Sequence, residues 1–268
     1  MIPEIVPLGV SADPDADDAR MSVELWRTNA PSPRLAITAH GRNGAARAPH
    51  MQKLIDAYRA RDYVVVSPDC CASAWNDSAG NEADFLLENH VRDVRRTVEW
   101  AIANAASLGW SGAHLALCGH SMGAYAVARL AASDYAGQIA HLLLVSPFTS
   151  GVRQIEARAK YHPDGIANLQ RDVPRALDEW PRHDIFAVSD RLTMPVAVFA
   201  GGKDIVAPPE NVAELVTRLP SPPLYWLLPE ASHCLEGGDY QVELLDAIDR
   251  LDAAARPPCI ARVIPSEA

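Results

Sequence analysis

Short β-branched apolar runs alternate with longer amphipathic stretches along this chain. The runs fall at residues 22–26, 35–38, 63–66, 114–117, 141–145, 195–199 and 224–228, and most lack the period-two alternation of a strand with one wet face. Continuous apolar runs are what strands covered on both faces require, so they predict a mainly parallel sheet. Residues 48–61, 82–107, 124–133, 209–219 and 240–255 carry apolar positions at helical spacing. These predict the crossover helices that join parallel strands and flank the sheet. The expected fold class is α/β.

One interval breaks the rhythm. Residues 147–192 are too many for a simple connection, contain Pro163, Pro174 and Pro181, and are rich in charge. They are read as an inserted helical lid, which divides the chain into a core of residues 1–146 and 193–268 and a cap of residues 147–192. Long connections inside compact domains are often functional; the alternative is a surface elaboration that never touches substrate. No internal repeat or low-complexity tract is visible, and the Pro-rich tail from Pro257 to the end is expected to be loosely held.

Composition narrows the partners. Thirty-four acidic residues against 24 basic ones give a net charge of -10, scattered along the chain. That balance favours solubility and argues against nucleic acid or an anionic membrane as partner. Residues 1–18 hold proline and several aspartates where a signal peptide needs basic residues followed by an apolar run. Apolar runs such as 142–145 fall far short of the roughly 20 residues of a membrane-spanning helix. The cysteines at 70, 71, 118, 234 and 259 are odd in number and lack CxxC spacing, so neither a zinc site nor a complete disulfide framework is suggested. A soluble protein of the reducing cytoplasm is expected, and a homo-oligomer is compatible with the sequence.

The chemistry is concentrated at four places. In the stretch from Leu115 to Ala124, an apolar strand runs into Gly119-His120-Ser121-Met122-Gly123 and then into a helix starting near Met122. Gly and Ser are common enough that a bare G-x-S-x-G arises by chance in about one chain in ten of this length. The strand before and the helix after give this copy the context of a nucleophile elbow, in which small flanks permit a tight turn and the helix N-terminus favours negative charge on Ser121. A serine hydroxyl needs a base, and the base needs an orienting carboxylate. Asp204 stands just past a predicted strand in Gly201-Gly202-Lys203-Asp204, and His233 stands in the loop after the next strand. Asp190 and Glu230 are the nearest competitors for the acid. Asp190 precedes its strand, and Glu230 stands too close to His233 for an independent loop.

Upstream, the strand ending at Thr38 leads into Ala39-His40-Gly41-Arg42-Asn43-Gly44. This turn can expose backbone N–H groups, and a tetrahedral intermediate needs two such donors, one commonly from the residue after the nucleophile. The N–H groups of Met122 and Arg42 are the candidates, with Asn43 as the alternative to Arg42. The Arg42 side chain adds a reading in which the substrate carries a carboxylate. Trp75, Trp180 and His183 are weighed as substrate contacts against simple packing. His50, His90, His114, His120 and His141 show no metal-ligand spacing and are read as packing residues, as are Cys118 and Cys234.

The His40-Gly41 turn, the elbow, Gly202-Lys203-Asp204 and Ser232-His233 together resemble the α/β-hydrolase superfamily over roughly residues 35–255. The resemblance implies a mainly parallel sheet flanked by helices, a cap inserted after the sixth strand, and activity without a cofactor. One departure is Asp69-Cys70-Cys71-Ala72, where many relatives carry a basic Gly-rich loop. The implied activity is cleavage of a carboxylic ester in a small acyl substrate. The same triad serves amidases, thioesterases, peptidases and carbon–carbon bond hydrolases, and a catalytically silent ligand-binding member is a further alternative. A nucleotide-binding Rossmann protein is disfavoured, because residues 40–44 lack the glycine spacing of a phosphate loop.

Overall fold

The computed structural model describes residues 2–9 and 20–255; the expected loose tail from Pro257 and Cys259 lie outside the described residues. Eight strands form one sheet in the order β1-β2-β4-β3-β5-β6-β7-β8. They are β1 (Glu4–Gly9), β2 (Arg20–Trp26), β3 (Arg34–Ala39), β4 (Tyr63–Asp69), β5 (Leu115–His120), β6 (Ile139–Val145), β7 (Val196–Gly201) and β8 (Leu224–Leu228). From β4 onward in the sheet every pair is parallel, and β2 joins it antiparallel. The seven apolar runs are the seven strands expected. β1 is an addition: it pairs antiparallel with β2 at the sheet edge and buries only Leu8, and its short apolar stretch is interrupted by Pro7.

The helices are α1 (Pro49–Arg59), α2 (Leu87–Ala103), α3 (Met122–Ala132), α4 (Gly151–Tyr161), α5 (Gly165–Asp172), α6 (Ala176–Glu179), α7 (Pro209–Arg218) and α8 (Gln241–Ala254). Alternate side chains of each strand feed opposite cores. Leu35, Ile37, Val64 and Val66 join Val91, Val94 and Val98 of α2 and the apolar face of α3. Ala36, Tyr63 and Val65 join Met51, Leu54 and Ile55 of α1 and Leu244, Ile248 and Leu251 of α8. Each such aliphatic side chain, fully buried, contributes about 1.5–3 kcal/mol relative to exposure. The inner strands β3 to β7 are thus dry on both faces, the reason they read as continuous apolar runs.

The interval 147–192 is helical, as expected, and holds α4, α5 and α6 between β6 and β7. Its anchor is Trp180, which is fully buried against Phe148. Gly151 lies so close to it that a Cβ there would meet the Trp180 carbonyl oxygen at 1.8 Å. Glu179 and His183 tie the insertion to the core. The Glu88 N–H of α2 donates to Glu179 Oε1 at 2.9 Å, His183 Nε2–H donates to the same oxygen at 2.7 Å, and Tyr125 of α3 donates to His183 Nδ1 at 3.1 Å.

At the amino ends of the strands, Asp252 of α8 gathers groups from four strand entrances. Its carboxylate accepts from Tyr63 at 2.5 Å, from His114 Nε2 at 3.1 Å and from the Arg34 guanidinium, and His141 Nδ1 lies 3.4 Å away. Burial opposes its charge, but the hydrogen bonds from His114 and Tyr63, with the His141 ring close by, outweigh burial and hold the carboxyl well below its usual range. His114 and His141 therefore have structural partners. Removing Asp252 leaves several buried donors unpaired, so Asp252→Ala is expected to lower unfolding free energy by about 2–4 kcal/mol. Urea denaturation should show this as a lower midpoint with an unchanged slope.

Candidate active site

Strand β3 is the switch point of the sheet, since β4 lies on one side of it and β5 on the other. Loops leaving the carboxyl ends of β3 and β5 therefore sit side by side, where open α/β sheets bind ligands. Ser121 is the residue between β5 and α3, with φ 55° and ψ -119°. A non-glycine residue is strained there, and the surroundings hold it. Its N–H donates to Val145 O at 2.9 Å, and its carbonyl accepts from Phe148 N–H at 3.1 Å. The glycines around it are required sterically: a Cβ on Gly119 would lie 2.4 Å from Gly123 O, and one on Gly123 would lie 2.2 Å from Ala39 O.

Asp204 and His233 come to Ser121 from the loops after β7 and β8. The two loops are laced together by Gly202 N–H to Leu228 O at 2.8 Å and Lys203 N–H to Ala231 O at 2.9 Å. Asp204 is 3% exposed. Its Oδ1 accepts the N–H groups of Val206 and Ala207, both at 2.8 Å, and its Oδ2 lies 2.8 Å from His233 Nδ1. His233 Nε2 is 3.0 Å from Ser121 Oγ. A carboxylate only accepts, so Nδ1 carries the proton and Nε2 is left with a lone pair facing the serine hydroxyl. The competing acids point elsewhere: Glu230 pairs with Lys203 on the surface, and Asp190 is exposed.

Gly41 brings the loop after β3 onto the elbow, where a Cβ on it would meet Ser121 Cβ at 2.8 Å. Among the described residues, the N–H groups of Arg42, Asn43 and Met122 have no protein acceptor. Asn43 turns the chain with φ 49°. The Arg42 guanidinium is held 2.7 Å from Glu82, which also accepts from the Asn43 amide. Its charge is compensated within the protein, which corrects the reading that Arg42 selects a substrate carboxylate. Trp180 and His183 are buried in the packing of the insertion, whereas Trp75 is 73% exposed.

Two buried histidines set the shape of this loop. Cys70 N–H donates to His40 Nε2 at 2.8 Å, so the His40 proton sits on Nδ1, which reaches Gly41 O at 2.6 Å. His90 Nε2–H donates to His40 O at 2.8 Å. A third buried histidine, His120, donates Nε2–H to the carbonyl of His233 at 2.8 Å and fixes the base loop. The sequence marks His90 and His120 only as packing, and His40 only as part of the turn. Burial lowers His40 to about 4 and His90 to about 3, and it raises the Cys234 thiol to about 11, which keeps that thiol protonated near neutrality. A cavity of about 490 Å³ adjoins the site between residues 43–50, Trp75, Cys234 and Glu236. A larger one of about 700 Å³ opens at the amino ends of β6, β7 and β8, the opposite edge from Ser121, and has no part in the site.

A doubly flanked, mainly parallel sheet with a serine on a strained strand-to-helix turn defines an α/β hydrolase. The sequence model of the alpha/beta hydrolase family matches residues 36–265, and the chain belongs to that family. Its fold is shared with solved structures at low identity. Est1E from Butyrivibrio proteoclasticus, solved with ferulic acid, superposes with a TM-score of 0.71 at 18% identity, over 88% of this chain and 97% of that one. The Pyrococcus furiosus esterase Pf2001 gives 0.70 at 18% identity, over 93% and 88%. An alpha-beta serine hydrolase homologue from Coxiella burnetii gives 0.60 at 18% identity, over 94% and 97%. No curated protein sequence matches the chain. Among the described residues, no helix is long and apolar enough to cross a membrane.

The neutral burial of His40 and His90 has a pH signature. Unfolded, each histidine titrates near its ordinary value of about 6.5; folded, each stays neutral to a lower pH. The unfolded chain therefore binds more protons below that value, and stability falls as pH drops. The two histidines should each remove about 2 kcal/mol between pH 7.5 and 5. Urea unfolding across that range tests this, and a flat profile would contradict neutral burial.

Proposed function

We propose that this chain is a serine hydrolase that cleaves carboxylic esters of small molecules through an acyl-enzyme. The observation that carries the reading is the continuous chain from Asp204 Oδ2 to His233 Nδ1 at 2.8 Å and from His233 Nε2 to Ser121 Oγ at 3.0 Å. His233 takes the Ser121 proton as Oγ attacks the ester carbonyl. Asp204 fixes the imidazole and stabilises its cation, and the Met122 and Arg42 N–H groups receive the oxyanion. The imidazolium then protonates the leaving alcohol. Water, deprotonated by the same imidazole, releases the acid and restores the serine.

Two further observations support this reading. The fold neighbours from Butyrivibrio proteoclasticus and Pyrococcus furiosus are esterases by name, and the cavity beside the site has the size of a small substrate. Residues 147–192 act as a cap in this proposal, seated on α2 through Glu179 and on α3 through His183. The anchor is close to the nucleophile, because Tyr125 lies on the first turn after Ser121.

Ser121→Ala is expected to lower kcat on a short-chain aryl ester by at least about 10³-fold, with the fold retained by circular dichroism. A phosphonate ester should label the wild-type chain once at Ser121 and leave the variant unlabelled. Unchanged turnover in the variant, or labelling elsewhere, overturns the mechanism.

A further inference from the structure

Next to Ser121 and His233, three residues from distant segments converge. His50 opens α1, His120 immediately precedes Ser121, and Cys234 immediately follows His233. Each offers a nitrogen or sulfur atom, and these atoms lie within 4.8 Å of one another. The His50 and His120 rings are 4.4 Å apart between centroids. His120 is 3% exposed, and its Nε2–H is committed to the His233 carbonyl. Its Nδ1 is fully buried and has no hydrogen-bond partner among the described residues.

That orphaned nitrogen is the informative feature. A buried acceptor without a partner is costly, and here the neighbouring ring N–H already donates to a carbonyl, which fixes the tautomer with a lone pair on Nδ1. This is the arrangement by which outer hydrogen bonds orient metal-binding histidines. The other two members, His50 and Cys234, are partly exposed and line the 490 Å³ cavity, which Glu236 also borders. The donor set is two imidazoles and one thiol, with one side open to solvent.

We infer that His50, His120 and Cys234 form a binding site for a thiophilic divalent cation, best matched by zinc, with its fourth position open to the cavity. Two nitrogens and one sulfur with a vacant fourth vertex are a known tetrahedral zinc ligand set. Bond lengths of about 2.0 Å to nitrogen and about 2.3 Å to sulfur put such ligand atoms roughly 3.4–3.6 Å apart. The three groups must therefore close by up to about 1.4 Å, a movement that rotation of the partly exposed Cys234 and His50 side chains supplies. On binding, the Cys234 thiol loses its proton to solvent and the sulfur donates its electron pair to the ion. The bound ion ties the start of α1, the elbow and the base loop to one point. No linear motif announces the site, because its ligands are 70 and 114 residues apart in sequence.

The test uses the untagged full chain, freed of metal by chelation and titrated with cobalt(II) and then zinc. Cobalt should produce a thiolate charge-transfer band in the near ultraviolet and the intense visible bands of a tetrahedral ion, saturating at one per chain and erased by zinc. Cys234→Ser should abolish the charge-transfer band, and His50→Gln should weaken cobalt binding at least tenfold. Zinc at a hundredfold excess over its Kd should raise the wild-type thermal midpoint by about 5 °C or more and leave that of Cys234→Ser unchanged. Absence of the charge-transfer band in the wild type, its survival in Cys234→Ser, or equal zinc stabilisation of both proteins overturns the site. None of these readouts depends on turnover, so the site stands or falls separately from the hydrolytic reading.

Discussion

The backbone of helix α3 lies directly on the backbone leaving strand β3, and everything near Ser121 depends on that contact. It is possible only because Gly123 presents no side chain to the Ala39 and His40 carbonyls, which a Cβ would approach to 2.2 and 2.4 Å. With the helix so close, the chain between Gly119 and Gly123 must turn within a single residue, and Ser121 takes up the strain at φ 55°. The same closeness lets Gly41 stack its backbone on the serine. Ser121 and the Arg42 and Asn43 N–H groups, which have no acceptor among the described residues, are thus set side by side by one packing constraint.

Around that contact, histidines hold backbone carbonyls in place. His40 binds main-chain groups through both ring nitrogens, His90 and His120 through one each, and all three are sealed from solvent. Desolvation disfavours their charged forms, so they act as neutral struts near pH 7. Under the insertion, His183 bridges the side chains of Tyr125 and Glu179. At the far end of the sheet, Asp252 provides the charged counterpart, binding strand entrances to the last helix. The fold is therefore pinned at both edges by polar groups while its faces are apolar.

Ser121, Asp204 and His233 were legible as candidates because each stands at a strand end within a local pattern. Ser121 needs a strand, two glycines and a helix; Asp204 and His233 each follow an apolar run within a few residues. The strands were legible because a sheet covered on both faces demands uninterrupted apolar runs. Strand β1 was not, because an edge strand has only one neighbour and a largely wet surface, and Pro7 in the middle of its short apolar stretch reads as a break. The helical insertion was visible as an excess of length, but its attachment through Trp180, Glu179 and His183 was not.

The sequence by itself determined the sheet, its crossover helices and the order Ser, Asp, His, since periodicity and turn chemistry act over short stretches of chain. Tertiary structure alone decided that Arg42 spends its charge on Glu82, that His40 and His90 brace the loop after β3, and that His50, His120 and Cys234 meet. Those pairings join residues tens to more than a hundred positions apart. Their partners are fixed only when parallel strands bring their carboxyl ends to one edge, a relation that no local pattern of residues encodes.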